Sequence, residues 1–357
     1  MSEDFLDRLL DETIEESKKE EIEVSEVTEE PKKPKEQEKT TKEVKLEKPK
    51  PASDLQDLLE EPKPKAQEVI LDLEKDTILL AADKSDGKTT AAYSFPGTIF
   101  VFGYDNQALS AAKNLKNFPK DSPLSSKAVK MKQIMKDGYV YYIFYDANGQ
   151  PTIEVHLLNQ LFRPRDTSDE EIGKAATAVI NKTFEVLTEL EERVRKDPNS
   201  APDWVVVDNF ELFIRWAEWH GRYDRKIPIF QKGALPGQDL WGVFDERLAL
   251  IRVFWSRVLA VAKKGVIYTT YVKEVEDTLT GAKRKIPKWV EAVKYETMHH
   301  ILIYKEFMPD GKPKYYAKIL GSKDISKYPD GVELDITNVG FYQALQNYLK
   351  SKQQQTS

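Results

Sequence analysis

The sequence of 357 residues contains no cysteine and only four histidines. The absence of thiols excludes disulfides and thiolate metal sites, and so few imidazoles argue against a histidine-rich metal centre. No apolar run approaches the roughly 20 residues that a membrane-spanning helix needs. The amino terminus also lacks the basic and then apolar pattern of a secretory signal. These absences favour a cytoplasmic protein that does not contact a membrane.

Charge is unevenly distributed along the chain. The net charge is −6, but residues 1–66 carry −8 and the remaining residues carry +2. The first 66 residues are mostly Glu, Lys, Pro, Thr and Val, with too little apolar surface to offset the entropy of an ordered chain. We therefore predict a disordered tail over 1–66, a folded domain over 67–350 and a disordered carboxyl terminus over 351–357.

The tail contains two copies of the pattern L-x-x-L-L-[DE]-E, at Leu6–Glu12 and Leu55–Glu61. Leucines with this spacing form one apolar stripe on a helix, with acidic residues on the other side. Such a helix is too short to be stable alone, but it can dock in a groove of a protein partner. The alternative is chance, since leucine and glutamate are common in helical fragments.

The central motif is Gly87-Lys88-Thr89, which follows an apolar, strand-like run at Thr77–Ala81. A strand, a tight loop and a helix whose free N–H groups point at an anion form a phosphate-binding loop. There Lys88 would neutralise the β- and γ-phosphates of ATP, and Thr89 would offer its hydroxyl to Mg²⁺. We assign nucleotide contacts to every residue of the loop: Ala82, Asp83, Lys84, Ser85, Asp86, Gly87, Lys88, Thr89 and Thr90.

The loop departs from the usual pattern G-x-x-x-x-G-K-[ST] in two ways. Ala82 stands where the first glycine is expected, and Asp83 and Asp86 add negative charge to a loop built to hold anions. The alternative interpretation is a Gly-Lys-Thr turn that only starts a helix.

A second element of a nucleotide site is an apolar run, Trp204–Val207, that ends in Asp208. A fully buried parallel strand would deliver Asp208 to the carboxyl edge of a sheet, beside the phosphate loop. There its carboxylate could hold Mg²⁺ together with Thr89. The pattern also fits a buried strand followed by a turn aspartate, but its position about 120 residues after Lys88 favours the nucleotide site.

Two further stretches are candidates for ligand contact. Thr269 and Thr270 end the apolar part of a strand and could sense the γ-phosphate, although threonine is also an ordinary strand residue. A basic cluster with an adjacent aromatic ring suits single-stranded nucleic acid, with phosphates on the cations and a base on the indole. Its members are Lys283, Arg284, Lys285, Lys288 and Trp289. The alternative for this cluster is a solvated hairpin tip.

Hydrophobic patterning predicts the other main elements. We expect a lysine-rich helical region over 106–135, a β-hairpin over 139–157, and long helices over 168–196 and 241–264. The charged stretch 273–294 is predicted to be loop-like.

With these motifs in this order, the chain resembles RecA-like P-loop ATPases, in particular the short phage and archaeal-virus forms related to recombinase paralogues and single-strand annealing proteins. The resemblance covers about residues 67–335. The features that carry it are Gly87–Thr90, the strand Ile99–Phe102 followed by Asp105, the run Val205–Asp208, the pair Thr269-Thr270, and Lys318–Lys323 after the last strand.

The resemblance implies an α/β fold with a twisted, mostly parallel sheet and helices on both faces. It implies catalytic roles for Lys88, Asp208 and Asp105, the last of which would activate the attacking water in a place where the family usually has the longer glutamate. Because such proteins often assemble head to tail as homo-oligomers, Lys323 would reach a phosphate of a neighbouring subunit.

The function that these features favour is ATP binding and hydrolysis with Mg²⁺, in DNA recombination, annealing or replication. The setting would be a phage, a virus or an archaeon, and a viral protein would act in the host cytoplasm. Two alternatives remain open. One is a nucleotide-binding scaffold without turnover, for which Ala82, Asp83 and Asp86 argue. The other is an interaction protein of a viral replication or packaging assembly that acts through its leucine motifs.

Overall fold

A computed structural model describes residues 75–136, 138–231, 239–276, 283–288 and 297–356 of the chain. The predicted tail, both leucine motifs, Trp289 and the side chain of Arg284 lie outside the described residues. The chain divides into units Met1–Leu71 and Asp72–Ser357, and the description below concerns the second unit alone.

One sheet organises the described residues. Its strands are β1 (Asp76–Ala82), β2 (Ile99–Gly103), β3 (Lys130–Lys136), β4 (Tyr139–Tyr145), β5 (Pro151–Leu157), β6 (Trp204–Asp208), β7 (Gly265–Glu276), β8 (Lys283–Pro287), β9 (His299–Phe307), β10 (Pro313–Ser322) and β11 (Glu333–Asp335). Along the sheet the order is β11-β10-β9-β1-β7-β6-β2-β5-β4-β3, and β8 pairs only with β7. The six strands from β9 to β5 in this order are mutually parallel, and the flanking pairs are antiparallel.

Six α-helices accompany the sheet within the described ranges. They are α1 (Lys88–Tyr93), α2 (Gln107–Asn114), α3 (Asp169–Lys196), α4 (Phe210–Asp224), α5 (Leu240–Val261) and α6 (Phe341–Thr356). Helices α1, α2 and α6 share one core with Ile78 and Leu80 of β1. On the opposite face, α3, α4 and α5 pack together, and Phe102 of β2 contacts Phe254 of α5. The predicted α/β fold, with a mostly parallel sheet and helices on both faces, is therefore confirmed. None of these helices is both long and apolar enough to cross a bilayer.

The central strands form where the sequence has short apolar runs without polar alternation. Every residue of β1, β2 and β6 is buried, as expected for parallel strands covered on both faces. Helix α3 carries its own boundary signals, because Ser168 caps it by accepting a hydrogen bond from the Glu171 N–H at 3.4 Å. Three acidic residues in its first turn and three basic ones in its last complement the helix dipole.

Three predictions about local structure were wrong. Region 106–135 contains only the short α2 and a 3₁₀ turn, and its end belongs to the strand β3. The lysines of β3 are tolerated because this strand lies at the edge of the sheet and is mostly exposed. Of region 273–294, the described residues belong mostly to the end of β7 and to β8, which pair with each other, and the rest of that prediction lies outside the described residues. Finally, α6 continues through 351–356, which had been assigned to a disordered terminus.

Candidate nucleotide site

The loop between β1 and α1 closes tightly at the carboxyl edge of the parallel strands. Ser85 and Gly87 adopt left-handed backbone angles, with φ of 67° and 87°. A side chain at Gly87 would be strained and would approach the Tyr315 ring to 3.3 Å. Gly87 is also the residue that precedes α1, and its carbonyl accepts the Ala91 N–H at 2.9 Å. Glycine is therefore required where the loop turns into the helix.

Lys88 is a buried cation. Only 2% of the residue is exposed, and Nζ has no hydrogen-bond acceptor among the described residues. The ammonium lies 4.2 Å from the centroid of the Tyr271 ring, which gives a cation–π contact. Removing a charge from water is costly unless a partner satisfies it. This arrangement suits an anion that enters from outside.

Asp208 meets two threonines at the end of β6. It is 1% exposed, and its Oδ2 accepts a hydrogen bond from Thr89 Oγ1 at 2.9 Å. Its Oδ1 accepts a second hydrogen bond from Thr269 Oγ1. A hydroxyl and a carboxylate are the hard oxygen ligands that Mg²⁺ prefers. Thr89 and Asp208 thus have both the chemistry and the proximity for a shared magnesium ion.

Asp105 lies two residues beyond β2, in the same corner of the site. The preceding Tyr104 N–H donates to the Asp208 carbonyl, which holds the two segments together. Burial and the negative charge of Asp208 raise the pKa of Asp105 to about 6. A hydrogen bond from the Gln107 N–H and the positive charge of Lys88 oppose this rise. Asp105 is therefore a carboxylate with the basicity of a weak general base.

The two acidic residues inside the loop are neutralised by lysines from other strands. Lys285 of β8 pairs with the Asp83 carboxylate, and Lys305 Nζ of β9 lies 3.1 Å from Asp86 Oδ1. The negative charge that argued against anion binding is thus compensated. Neither lysine is near the loop in sequence, so the compensation depends on the fold.

A cavity of about 350 Å³ adjoins the loop on the α2 side. Its apolar wall includes Phe118, Tyr315 and Ile336, and Gln107 and Thr337 supply polar groups. A site with aromatic and aliphatic walls and a few polar groups is typical of small-ligand binding. Because the cavity also reaches Gly87, Lys88 and Thr89, a nucleoside lying in it would place its phosphates on the loop.

The fold brings most of the predicted site residues together and separates others. Lys88, Thr89, Asp105, Asp208 and Thr269 meet at one edge of the sheet. The other loop residues line the turn: Ala82 is buried, Lys84 is exposed, and Ser85 and Thr90 border the cavity.

Thr270 is buried, but neighbouring strand residues point to opposite faces, so it faces away from Thr269 and the loop. Of the two threonines predicted to sense the γ-phosphate, only Thr269 bonds to Asp208, so the geometry favours Thr269 over Thr270 and the sensing role stays a prediction. Tyr271, on the same face as Thr269, contacts Lys88 instead.

Lys323 lies far from the loop of its own chain. It follows β10, which runs antiparallel to β9, and its N–H bonds to the Met298 carbonyl just before β9 begins. This is the amino edge of the parallel strands, opposite the phosphate loop. Lys323 therefore does not contact the candidate nucleotide site of the same chain, and its contact with a neighbouring subunit stays a prediction.

Two described lysines of the basic cluster, Lys285 and Lys288, lie close to the phosphate loop rather than apart from it. Lys285 pairs with Asp83, and Lys288 Nζ lies 3.4 Å from Glu211 Oε1 and 5.8 Å from the Tyr271 ring centroid. Lys283 is exposed. The hairpin therefore offers cations to solvent and also contacts acidic groups of the site.

Several residues around the site were missed by the sequence analysis. Tyr271 contacts Lys88, Lys305 pairs with Asp86, and Tyr315 lines the same cavity as Gly87. Only Tyr271 had a local signal, because it directly follows the threonine pair on β7. The other two belong to strands that are more than 200 residues from the loop and reach it only through the sheet order.

A second group of possible metal ligands lies away from this site. His220, Asp224 and Glu246 bring one ligand atom each within 4.8 Å of one another. The Arg225 guanidinium bonds to Glu246, so a cation already satisfies part of this group.

No protein-family model matches this chain, and no curated protein matches it. Function is therefore inferred from the chemistry of the site itself.

Proposed function

We propose that the chain binds a nucleoside triphosphate with Mg²⁺ at the loop 82–89 and hydrolyses it, as a RecA-like P-loop ATPase. The observation that carries the proposal is the buried Lys88 ammonium, which has no hydrogen-bond acceptor within the described part of the chain. The next residue, Thr89, bonds to Asp208. A phosphate group would satisfy the ammonium, and Mg²⁺ would satisfy the carboxylate.

The arrangement of strands supports the same proposal. The loop, Asp105 and Asp208 follow three different parallel strands and lie at their carboxyl ends, where ligands of open α/β sheets bind. A mostly parallel sheet with helices on both faces is also what the RecA-like resemblance implies. Tyr315 and Phe118 offer apolar surface for the base.

Each residue has a distinct role in the proposed reaction. Lys88 neutralises charge on the β- and γ-phosphates, while Thr89 and Asp208 hold Mg²⁺. A Mg²⁺ ion held by these two residues would supply positive charge to stabilise the phosphoryl group during transfer. Asp105 would orient a water molecule and accept its proton. The water oxygen would bond to the γ-phosphorus as the bond to the β–γ bridging oxygen breaks in line with it, so that the nucleoside diphosphate leaves. Catalysis would depend on positioning and on charges fixed by the fold.

The wider role that we propose is in DNA metabolism, with single-stranded nucleic acid on the exposed lysines of the β7–β8 hairpin and with assembly into homo-oligomers. A scaffold that binds nucleotide without turnover is the second candidate, and Ala82 in place of glycine favours it. The leucine motifs at Leu6–Glu12 and Leu55–Glu61 remain predicted contacts for a protein partner.

The test is nucleotide binding and phosphate release by the purified chain, with and without Mg²⁺. For Asp208→Asn, turnover should fall by about 100-fold or more while binding falls less than about tenfold, because the metal acts mainly in the transition state. Asp310→Asn, in an exposed turn, is the matched control. Tight binding without phosphate release would select the scaffold. Equal loss of binding and turnover, with a lower melting temperature, would indicate a structural role for Asp208.

A further inference from the structure

The two acidic residues of the phosphate loop differ in how their lysine partners are held. Asp86 has a side chain that is 10% exposed, and its partner Lys305 belongs to a strand inside the sheet. Asp83 and its partner Lys285 are both close to half exposed, at 48% and 42% of the side chain. Lys285 is therefore open to a second anion from solvent, whereas Lys305 is more enclosed.

Lys285 lies within a locally cationic hairpin. It faces Glu274 across the β7–β8 ladder, and Lys283 faces Glu276 in the same way. Asp83 is the group that bonds directly to Lys285 and raises its pKa, with Asp86 and Glu274 adding smaller effects. Since Lys288 is also basic, the described side chains of the hairpin contain more positive than negative charges.

We propose that the backbone of single-stranded nucleic acid competes with Asp83 for Lys285, so that strand binding on the hairpin weakens nucleotide binding at the loop. This inference rests on the proposed nucleotide site. When a backbone phosphate takes Lys285, the Asp83 carboxylate loses its counter-charge. An unpaired negative charge then lies in the loop that holds the nucleotide phosphates, and the like charges repel.

The coupling is reciprocal by thermodynamic necessity. If the strand lowers nucleotide affinity by some factor, nucleotide lowers strand affinity by the same factor. The pair is partly exposed and screened by salt, so the effect is modest, on the order of two- to fivefold. The direction of the change in affinity is what tests the inference, because nucleotide and single strand weaken each other's binding through one ion pair.

The experiment measures the affinity of a non-hydrolysable fluorescent ATP analogue at fixed low salt, with and without saturating oligothymidylate. Wild type should bind the analogue about two- to fivefold more weakly when the oligonucleotide is present. In Asp83→Asn the ratio should fall to one, because no carboxylate is left to lose its partner. Asp86→Asn is the matched control, and its ratio should equal the wild-type value.

Several results would overturn the inference. These are an unchanged or tighter analogue affinity in wild type with oligonucleotide, or a ratio that persists in Asp83→Asn. If the protein does not bind the oligonucleotide, single-stranded nucleic acid is not the partner. If a polyglutamate peptide weakens analogue binding and the oligonucleotide does not, the partner of this surface is an acidic protein. Absence of analogue binding without oligonucleotide would instead refute the proposed nucleotide site, so the two failures are distinguishable.

Discussion

Replacement of Asp105 by asparagine should stabilise the metal-free protein while it removes activity. Burial and the neighbouring Asp208 raise the pKa of Asp105 to about 6, from an ordinary value of 3.8. One pKa unit corresponds to about 1.4 kcal/mol, so the ionised carboxylate costs up to about 3 kcal/mol of folding free energy. Asparagine has the same shape and keeps an oxygen for the Gln107 N–H. Allowing for a weaker hydrogen bond, we expect a net gain of about 1–3 kcal/mol.

The difference in stability between wild type and Asp105→Asn should depend on pH. The carboxyl group of Asp105 ionises near pH 4 in the unfolded chain but only near pH 6 in the folded protein. Below about pH 4 both states hold the proton, so wild type and Asp105→Asn should be equally stable there. As the pH rises towards 6 the wild-type protein loses stability relative to the variant, and above 6 the difference is complete. Urea unfolding in EDTA at pH 3.5 and pH 8 measures both limits.

Activity should move in the opposite direction to stability. If Asp105 accepts the proton of the attacking water, Asp105→Asn should reduce turnover by about 100-fold or more and leave nucleotide affinity nearly unchanged. Asp310→Asn serves as the control in both assays. A variant that is less stable than wild type at pH 8 would refute the argument, since Asp105 would then be a stabilising group.

Two other substitutions test how the site divides its contacts. Lys88→Ala should lower nucleotide affinity by about 100-fold, because charge-assisted hydrogen bonds to phosphate contribute about 1.5–3 kcal/mol each. A fluorescent-nucleotide titration measures this loss, and Lys116→Ala, at an exposed position, is the control. Tyr315→Ala should weaken ATP binding about tenfold through lost stacking but leave competition by inorganic tripolyphosphate unchanged. Equal losses for both ligands would place Tyr315 at the phosphates rather than at the base.

The parts of the fold that the sequence predicted are those with strong local signals. Residues 78–82 of β1, 99–103 of β2 and 204–207 of β6 contain no polar side chain apart from the indole of Trp204, and α3 begins with a capping serine and acidic residues. The edge strand β3 was missed because its lysines resemble a solvated helix, and only its position beside β4 makes it a strand. Both faces of an edge strand can carry charged residues, so the alternation of apolar and polar residues that identifies a strand is weak there.

For the candidate site, the approach of loop 82–89 to Asp208 could be predicted because each motif follows its own strand. Their contact at 2.9 Å depends on β6 lying near β1 in the sheet, which the two motifs together suggested. Which of Thr269 and Thr270 faces the loop could not be predicted, because a shift of one residue in strand register exchanges the two faces. The lysines that neutralise Asp83 and Asp86 come from β8 and β9, and no spacing in the sequence encodes that approach.

The charges in the corner of the site constrain the ligand more than any single residue does. Lys88 is a buried cation for which the described residues provide no hydrogen-bond acceptor. Asp105 and Asp208 are neighbouring acidic groups, and burial together with their repulsion raises the pKa of Asp105. A free phosphate would satisfy Lys88 but add to the repulsion at the two carboxylates. A free divalent cation would relieve that repulsion but leave Lys88 without a partner and place a second positive charge beside it. A magnesium–nucleotide complex supplies an anion and a cation in one ligand. Its phosphates would contact Lys88, and its metal would contact the adjacent residue Thr89. That complementarity favours a metal-bound triphosphate over either component alone.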